Sequence, residues 1–206
     1  MRLKGLYAIT DSKLCPPDRI LHQVESALRG GATVIQYRDK REEKSGCEDE
    51  IAGILALCHR FEALLIINDD IGLARKTGAH GVHLGKDDAN LLEARNLLGS
   101  SAIIGVSCYN SLDLAKSASA NGADYIAFGR FFPSLIKPDA IQAELSLLTE
   151  ARQEITKPLV AIGGITPENG APLIAAGADM LAVIHGVFGQ PDIHTASRRL
   201  SALFTP

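Results

Sequence analysis

The chain has 206 residues, of which 46% are hydrophobic and 5% aromatic, and its formal net charge is −3. One domain with a mostly aliphatic core is therefore expected over residues 1–206. The weak negative charge gives no electrostatic basis for binding nucleic acid or an anionic membrane, and no apolar run approaches the roughly 20 residues of a membrane span. The four cysteines show no C-x-x-C spacing, which favours reduced thiols and a cytoplasmic protein.

Eight short apolar runs follow one another along the chain, and a helical pattern comes after each of them. The runs begin, in chain order, at Leu6, Val34, Leu64, Gly81, Ile103, Tyr125, Leu159 and Met180. Near-continuous apolar runs are typical of parallel strands that are buried on both faces. Eight strand–helix units in this order predict an α/β fold, a single compact (β/α)8 TIM barrel.

Four of these runs are preceded by Gly-Ala and one further residue. The glycines are Gly31, Gly78, Gly122 and Gly177, which are 47, 44 and 55 positions apart. We expect each glycine to end a helix in the left-handed backbone conformation, which a residue without Cβ adopts readily.

The end of the second run carries cations at alternate positions. In a strand, side chains two residues apart share a face, so Gln36, Arg38 and Lys40 are predicted to point the same way. Two cations and an amide that converge at a strand end suit an anion, and the arginine fork matches phosphate oxygens. The alternative is a solvated strand end whose cations pair with nearby carboxylates. Residues 41–50 are expected to form a charged loop, either a cover over a site or a solvated connection.

Carboxylates follow the third and fourth runs. In a barrel, the carboxyl ends of the strands form the active face, which would bring Asp69 close to Asp87 or Asp88. Two carboxylates with room for water and phosphate oxygens suit Mg²⁺. The alternative for one residue of each pair is helix capping, by Asp70 and Asp88.

Two further segments on the same face are candidates for binding phosphate. After the seventh run the chain enters Gly163-Gly164 and then a predicted helix start at Thr166-Pro167, where backbone N–H groups could bind a phosphate. An ordinary βα turn is the alternative. After the sixth run, the loop 131–138 carries the hydroxyl of Ser134 and the cation of Lys137, although a proline-bounded connector would look similar.

Seven short motifs, on seven different strands, resemble those of the thiamin phosphate synthase family in the same order. The motifs are Tyr7–Asp11, Gln36–Lys40, Ile67–Asp69, Gly81–Asp88, Gly105–Ser107, Phe132–Lys137 and Ala161–Ile165. The resemblance implies an enzyme that joins 4-amino-2-methyl-5-pyrimidinylmethyl diphosphate to 4-methyl-5-(2-phosphoethyl)thiazole, or its carboxylate. It further implies thiamin phosphate and pyrophosphate as products, formed by a Mg²⁺-assisted dissociative substitution. The implied partners are small molecules, and a homo-oligomer is compatible with the sequence.

The resemblance also implies a role for each matching residue. The pyrimidine diphosphate would be held by Gln36, Tyr37, Arg38, Asp39, Lys40, Asn68, Ser107 and Lys137. Among these, the residues expected to act in catalysis on the departing diphosphate are Arg38, Lys40, Ser107 and Lys137. The thiazole phosphate would be received by Ser134, Leu135, Ile136, Gly164, Ile184 and His185. The Mg²⁺ ligands would be Asp69 and Asp88, which selects Asp88 over Asp87.

The chain departs from the family pattern at two positions of the thiazole phosphate site. Ile136 replaces a hydroxyl residue, so one hydrogen bond to that phosphate is missing or comes from elsewhere. His185 replaces a serine, and we favour a phosphate contact over simple packing because His185 lies on the active face. The other histidines, including His83 inside the fourth strand, are expected to be structural.

Two other functions are compatible with the fold. A thiazole tautomerase is an isomerase on the same barrel that needs neither Mg²⁺ nor a diphosphate site. A non-catalytic phosphate-binding barrel would be expected to have a degenerate set of rim residues. The presence of Arg38, Lys40, Asp69, Asp88 and Lys137 together argues against both.

Overall fold

The computed structural model describes residues 3–42, 46–85, 91–133 and 141–205. Eight parallel strands pair in chain order into a closed barrel, in which the last strand pairs with the first. The strands are β1 (Gly5–Ile9), β2 (Ala32–Tyr37), β3 (Leu64–Asn68), β4 (Gly81–Leu84), β5 (Ile103–Tyr109), β6 (Tyr125–Gly129), β7 (Leu159–Ile162) and β8 (Met180–Val183). The predicted (β/α)8 barrel is confirmed.

Helices connect successive strands on the outside of the barrel. They are α1 (Ile20–Arg29), α2 (Cys47–Arg60), α3 (Ile71–Thr77), α4 (Leu91–Leu98), α5 (Leu112–Ala120), α6 (Leu145–Glu154), α7 (Ala171–Ala175), α8 (His185–Phe188) and α9 (Ile193–Ser201), with a 3₁₀ turn at Ala202–Phe204. None of the helices within the described ranges is both long and apolar enough to cross a membrane.

Two predicted boundaries are wrong. The segment expected to be a loop over residues 41–50 already turns into α2 at Cys47, since Glu48, Asp49 and Glu50 sit in the first helical turn, where acidic side chains are favourable. The helix expected to start at Thr166-Pro167 begins instead at Ala171. The carbonyl of Thr166 accepts the N–H groups of two residues in an intervening turn, which delays the helix.

Alternation along each strand divides the apolar residues into two layers. Tyr7 and Ile9 of β1 belong to a cluster inside the barrel, whereas Leu6 and Ala8 pack between the strands and the helices. The interior cluster consists of Tyr7, Ile9, Val34, Leu64, Ile66, Tyr125, Ala127, Val160, Met180 and Ala182. Because side chains fill the interior, the candidate site must lie above this layer, at one end of the barrel.

The Gly-Ala repeats have the predicted geometry and a second function that the sequence reasoning missed. The four glycines have φ values of 97°, 67°, 96° and 116°. The third residue of the later copies accepts the backbone N–H of an adjacent strand. The pairs are His80 with Leu65 (3.0 Å), Asp124 with Ile104 (2.8 Å) and Asp179 with Leu159 (2.9 Å). Each repeat thus ends a helix and then fixes the start of a strand.

Candidate active site

The end of β2 presents Arg38 toward the rim at the carboxyl ends of the strands. Its Nη1 donates to Oδ2 of Asp11 at 3.0 Å, and its backbone N–H donates to Oγ1 of Thr10 at 2.9 Å. Only 16% of the Arg38 side chain and 12% of the Asp11 side chain are exposed, so the ion pair is well shielded from water. A guanidinium has five N–H donors, and the carboxylate of Asp11 therefore fixes the direction of the fork without using all of them.

Lys40 meets the predicted metal ligand Asp69. The Nζ of Lys40 donates to Oδ2 of Asp69 at 2.8 Å, and the exposed fractions of the two side chains are 54% and 32%. Asp69 has φ 65°, in the left-handed region that non-glycine residues rarely adopt. Strained backbone of this kind concentrates at functional sites. The neighbouring Asp70 has the capping role instead, because its Oδ1 accepts the N–H of Leu73 at 2.8 Å.

Tyr37 and Asp39, which were also predicted to contact the diphosphate, have their described contacts on the side of α2. They lie on the opposite face of the strand, where the Tyr37 hydroxyl donates to Oε2 of Glu50 at 2.6 Å. Arg41 bridges the carboxylates of Asp39 and Glu50, at 2.8 and 2.9 Å. Burial raises the pKa of Tyr37 well above its usual range, and the hydrogen bond to Glu50 raises it further. These contacts anchor the strand end to α2, and a role of Tyr37 and Asp39 in binding the diphosphate stays a prediction.

The carboxylate of Asp69 is a possible ligand for Mg²⁺. Within the residues that the structure describes, no three His, Cys, Asp or Glu side chains converge as a complete metal site. Asp69 supplies one carboxylate, and its predicted partner Asp88 lies outside the described residues. Mg²⁺ is commonly held by one or two carboxylates together with water and substrate phosphates, so a rim carboxylate at this position fits that ion.

A chain of hydrogen-bonded side chains lies directly below the rim. Nε2 of Gln36 donates to the Tyr7 hydroxyl at 2.7 Å, and the Tyr7 hydroxyl lies 2.8 Å from that of Tyr125. The Tyr125 hydroxyl lies 2.9 Å from Nδ1 of His83, and Nε2 of His83 lies 2.8 Å from Oγ of Ser107. Gln36 is only 3% exposed, so its amide acts inside the barrel rather than at the surface.

This hydrogen-bonded set of side chains contains candidate functional residues that the sequence reasoning missed. His83 was expected to be structural, yet its ring joins the buried phenols to Ser107, a predicted catalytic residue. Burial raises the pKa of both Tyr7 and Tyr125, so the two phenols stay protonated. The sequence did indicate the direction of His83, because successive side chains of a strand point to opposite faces. Val82 and Leu84 belong to the outer layer, so His83 between them points into the barrel.

Gly105 makes room for this arrangement. A Cβ at position 105 would lie 1.9 Å from Cζ of Tyr125. Gly105→Ala is therefore expected to lower the free energy of unfolding by about 1–3 kcal/mol, because the ring must shift away from its partners. Urea unfolding measures the change. Gly72→Ala is the control, since its new Cβ would meet only Oδ1 of Asp70 at 3.5 Å. An unchanged unfolding midpoint in Gly105→Ala would contradict the prediction.

The predicted thiazole phosphate residues are described only in part. Gly164 has φ 64°, and a Cβ there would lie 2.3 Å from the carbonyl oxygen of Pro133, so only glycine lets the loops after β6 and β7 approach this closely. Ile184 packs against the interior cluster. His185 is exposed and its ring lies over Gly189. Ser134, Leu135 and Ile136 lie outside the described residues, as does Lys137 of the predicted pyrimidine diphosphate site.

Asn68 stands at the carboxyl end of its strand as expected, whereas β5 continues two residues beyond Ser107, the residue at which it was expected to end. Asn68 is the last residue of β3 and is half-buried. Ser107 lies on the inward register of β5, two residues beyond Gly105, and contacts His83. Together with Arg38 and Lys40 they form a polar surface around the mouth of the barrel, above the buried amide of Gln36.

These features define a class: a (β/α)8 barrel with its polar site at the carboxyl ends of the strands. The family described as thiamine monophosphate synthase matches residues 6–187. The thiamine-phosphate synthase of Thioalkalivibrio sulfidiphilus is 51% identical over 203 residues, covering 98% of this chain and 96% of that protein. The protein of the same name from Nitrosococcus oceani is 52% identical over 195 residues, covering 95% of this chain and 90% of its own.

A solved structure shows similarity to the same family. The thiamine phosphate pyrophosphorylase from Pyrococcus furiosus superposes with a TM-score of 0.88 at 34% identity, covering 97% of this chain and 94% of that one. The chain belongs to the thiamine monophosphate synthase family. It is a transferase with thiamine-phosphate synthase activity, and the comparisons favour neither the tautomerase nor the non-catalytic barrel.

Proposed function

We propose that the rim binds 4-amino-2-methyl-5-pyrimidinylmethyl diphosphate beside 4-methyl-5-(2-phosphoethyl)thiazole, or its carboxylate, and joins them into thiamin phosphate with release of pyrophosphate. The observation that carries the proposal is the placement of two cations and a carboxylate on one rim. Arg38 is held by Asp11 at 3.0 Å, and Lys40 lies 2.8 Å from Asp69. The strand alternation turns both cations toward the mouth of the barrel.

In this proposal, the protein mainly stabilises negative charge on the leaving group. When the bond from the pyrimidine CH2 to oxygen breaks, its electron pair leaves with pyrophosphate. Arg38, Lys40, Ser107 and Lys137 donate to the oxygens that gain this charge. Donors fixed in advance cost no reorganisation at the moment of reaction, and each contributes a few kcal/mol in a water-poor site. The aminopyrimidine ring delocalises the positive charge that remains, so no protein nucleophile is needed.

Gln36 and Asn68 complete the pyrimidine diphosphate site on the neighbouring strands. Asp69 and Asp88 are the proposed ligands of Mg²⁺, which would neutralise part of the diphosphate charge when bound. Lys40 already neutralises Asp69 at 2.8 Å. In the substrate complex the ammonium would turn from this carboxylate to the diphosphate, a short movement for a flexible four-carbon side chain that is 54% exposed.

The proposed thiazole phosphate site combines Ser134, Leu135 and Ile136 with Gly164, Ile184 and His185. Gly164 contributes a backbone held in the left-handed conformation, where its N–H can be directed at a ligand. The thiazole nitrogen already carries a lone pair, so it attacks the pyrimidine carbon without a general base. Correct relative position of the two substrates is then the main requirement.

His185 allows a test of this second site. His185→Ala removes the ring that lies over Gly189 and leaves no side-chain donor at this position. If the imidazole contacts the thiazole phosphate, the KM for that substrate should rise by about tenfold, the value of one charge-assisted hydrogen bond. Steady-state kinetics with the diphosphate substrate saturating measure the change. Unaltered constants would assign His185 a packing role only.

The location in the cytoplasm and any assembly into oligomers remain predictions. The four cysteines are buried free thiols, which suits a reducing compartment.

The direct experiment supplies both purified substrates and follows pyrophosphate release and thiamin phosphate formation, with Mg²⁺ and with EDTA. Omission of either substrate is the control for hydrolysis of the diphosphate alone. Product that requires both substrates and Mg²⁺ supports the proposal. Folded protein that gives no product, but isomerises the carboxylated thiazole phosphate, would replace the proposal with the tautomerase.

A further inference from the structure

Five side chains from five different strands form one continuous hydrogen-bonded chain across the barrel interior. They are Gln36 of β2, Tyr7 of β1, Tyr125 of β6, His83 of β4 and Ser107 of β5. The successive donor–acceptor distances are 2.7, 2.8, 2.9 and 2.8 Å. We call this set the interior chain. Tyr7 and Tyr125 are 1% and 0% exposed, so water does not compete for their hydroxyls.

The geometry of the rings makes the interior chain specific. The Tyr7 and Tyr125 rings meet edge to face, with centroids 5.9 Å apart and an interplanar angle of 77°. The His83 ring stacks on Tyr125 at 5.6 Å and 18°. Tyr125 also fits closely over Gly105, where even a methyl group would clash. The two ring nitrogens of His83 therefore have little freedom to exchange partners.

The amide of Gln36 sets the direction of every hydrogen in the chain. Its Nε2 is a donor only, so the Tyr7 oxygen accepts and the Tyr7 hydrogen must point elsewhere. The neighbour is the Tyr125 hydroxyl, whose oxygen accepts that hydrogen and whose own O–H is then directed at Nδ1 of His83. A nitrogen that accepts carries no proton, so the imidazole proton of His83 is on Nε2. That proton is donated to Oγ of Ser107.

We infer that the interior chain positions Ser107 for catalysis, with His83 as the positioning residue that holds it. Because Oγ of Ser107 accepts from His83, its own hydrogen is directed outward, to the rim. There it can donate to the diphosphate oxygen that gains charge as the bond breaks. No proton is transferred in this step, since the hydroxyl keeps its hydrogen throughout. The inference rests on the proposed function for the identity of the acceptor, but the tautomer of His83 does not depend on it.

The first test reads the tautomer directly. The full-length protein labelled with ¹⁵N-histidine gives ¹H–¹⁵N correlations in which Nδ1–H and Nε2–H imidazoles are distinguishable. The signals lost in His83→Gln assign the residue. We expect an Nε2–H correlation from His83 and no Nδ1–H correlation. A proton on Nδ1 would reverse the chain and overturn the inference, whether or not the protein turns over substrate.

The second test measures coupling between Tyr125 and Ser107. Tyr125→Phe removes the donor to Nδ1 without emptying the interior, and should lower kcat by about tenfold, the worth of one hydrogen bond of roughly 1.4 kcal/mol. The KM values should stay within about twofold, since the ground-state contacts of the substrates remain. In a Ser107→Ala background, the same change should cost less than about twofold, because the hydroxyl that Tyr125 acts through is absent.

Tyr37→Phe is the matched control for this cycle. It removes a phenol hydroxyl from the outer face of the barrel, where the partner is Glu50. Any effect of Tyr37→Phe on kcat should be the same in the wild-type and Ser107→Ala backgrounds. An equal loss from Tyr125→Phe in both backgrounds would show a purely structural role and contradict the inference. Should Tyr125→Phe fail to fold, Tyr7→Phe breaks the same chain one hydrogen bond further from Ser107.

Discussion

Lys40→Ala should lower kcat by about 10²–10³-fold, the cost of removing one preorganised donor from a developing oxyanion. The ammonium lies 2.8 Å from Asp69 on the rim, and its loss removes one cation from the proposed diphosphate site. The pair is partly exposed, and exposed ion pairs contribute little to stability. The unfolding midpoint should therefore remain close to that of the wild type, so that turnover and folding can be separated.

The chain offers a closely matched control for Lys40. Lys76 pairs with Glu48 at 2.6 Å, with exposed side-chain fractions of 65% and 52%, on the outer helices. Lys76→Ala removes the same charge from a similar ion pair and should leave kcat unchanged. Wild-type turnover in Lys40→Ala would remove the diphosphate site from the proposed function. Equal losses in both variants would indicate an effect of net charge rather than of position.

Asp69→Asn should raise the Mg²⁺ concentration for half-maximal activity by about 10–100-fold, because an amide is a neutral and weaker ligand than a carboxylate. Asparagine tolerates the left-handed backbone, so the φ of 65° at this position is retained. A Mg²⁺ titration at saturating substrate measures the shift. It also separates the role as ligand from the loss of the Lys40 ion pair, which would lower kcat at every Mg²⁺ concentration.

Asp70→Asn is the neighbouring control. Asp70 caps α3 by accepting the N–H of Leu73, and asparagine caps a helix about as well as aspartate. The Mg²⁺ titration of this variant should match that of the wild type. A titration unchanged in Asp69→Asn, or shifted equally in both variants, would be inconsistent with Asp69 as a metal ligand.

The fold could be predicted from the sequence because its repeats are local. Four Gly-Ala copies and eight apolar runs specify where helices end and strands begin, and the structure has all eight strands in that order. The period of two along β2 also predicted that Arg38 and Lys40 share a face. Tyr37 and Asp39 have the other parity, and their predicted contact with the diphosphate came from the family resemblance rather than from this rule.

The contacts between strands could not be read in the same way. Asp11 holds Arg38 across 27 positions of sequence, and Tyr7 meets Tyr125 across 118. Such pairs depend on the register of the closed sheet, which no local pattern encodes. His83 was assigned a structural role because it lies inside the fourth strand and no two histidines share a helical ligand spacing. Its partners come from β5 and β6, so only the three-dimensional arrangement identifies them.

Alternate residues at the end of β2 make two different kinds of contact. Arg38 and Lys40 pair with Asp11 and Asp69 on the side proposed to bind the diphosphate, whereas Tyr37, Asp39 and Arg41 fasten the backbone to Glu50 on the first turn of α2. Under the proposed function, selection on substrate binding and selection on the stability of the fold therefore act on alternate positions of one short segment. Substitutions at the positions of Arg38 and Lys40 can then change which anion is bound, while the residues between them keep the backbone attached to α2.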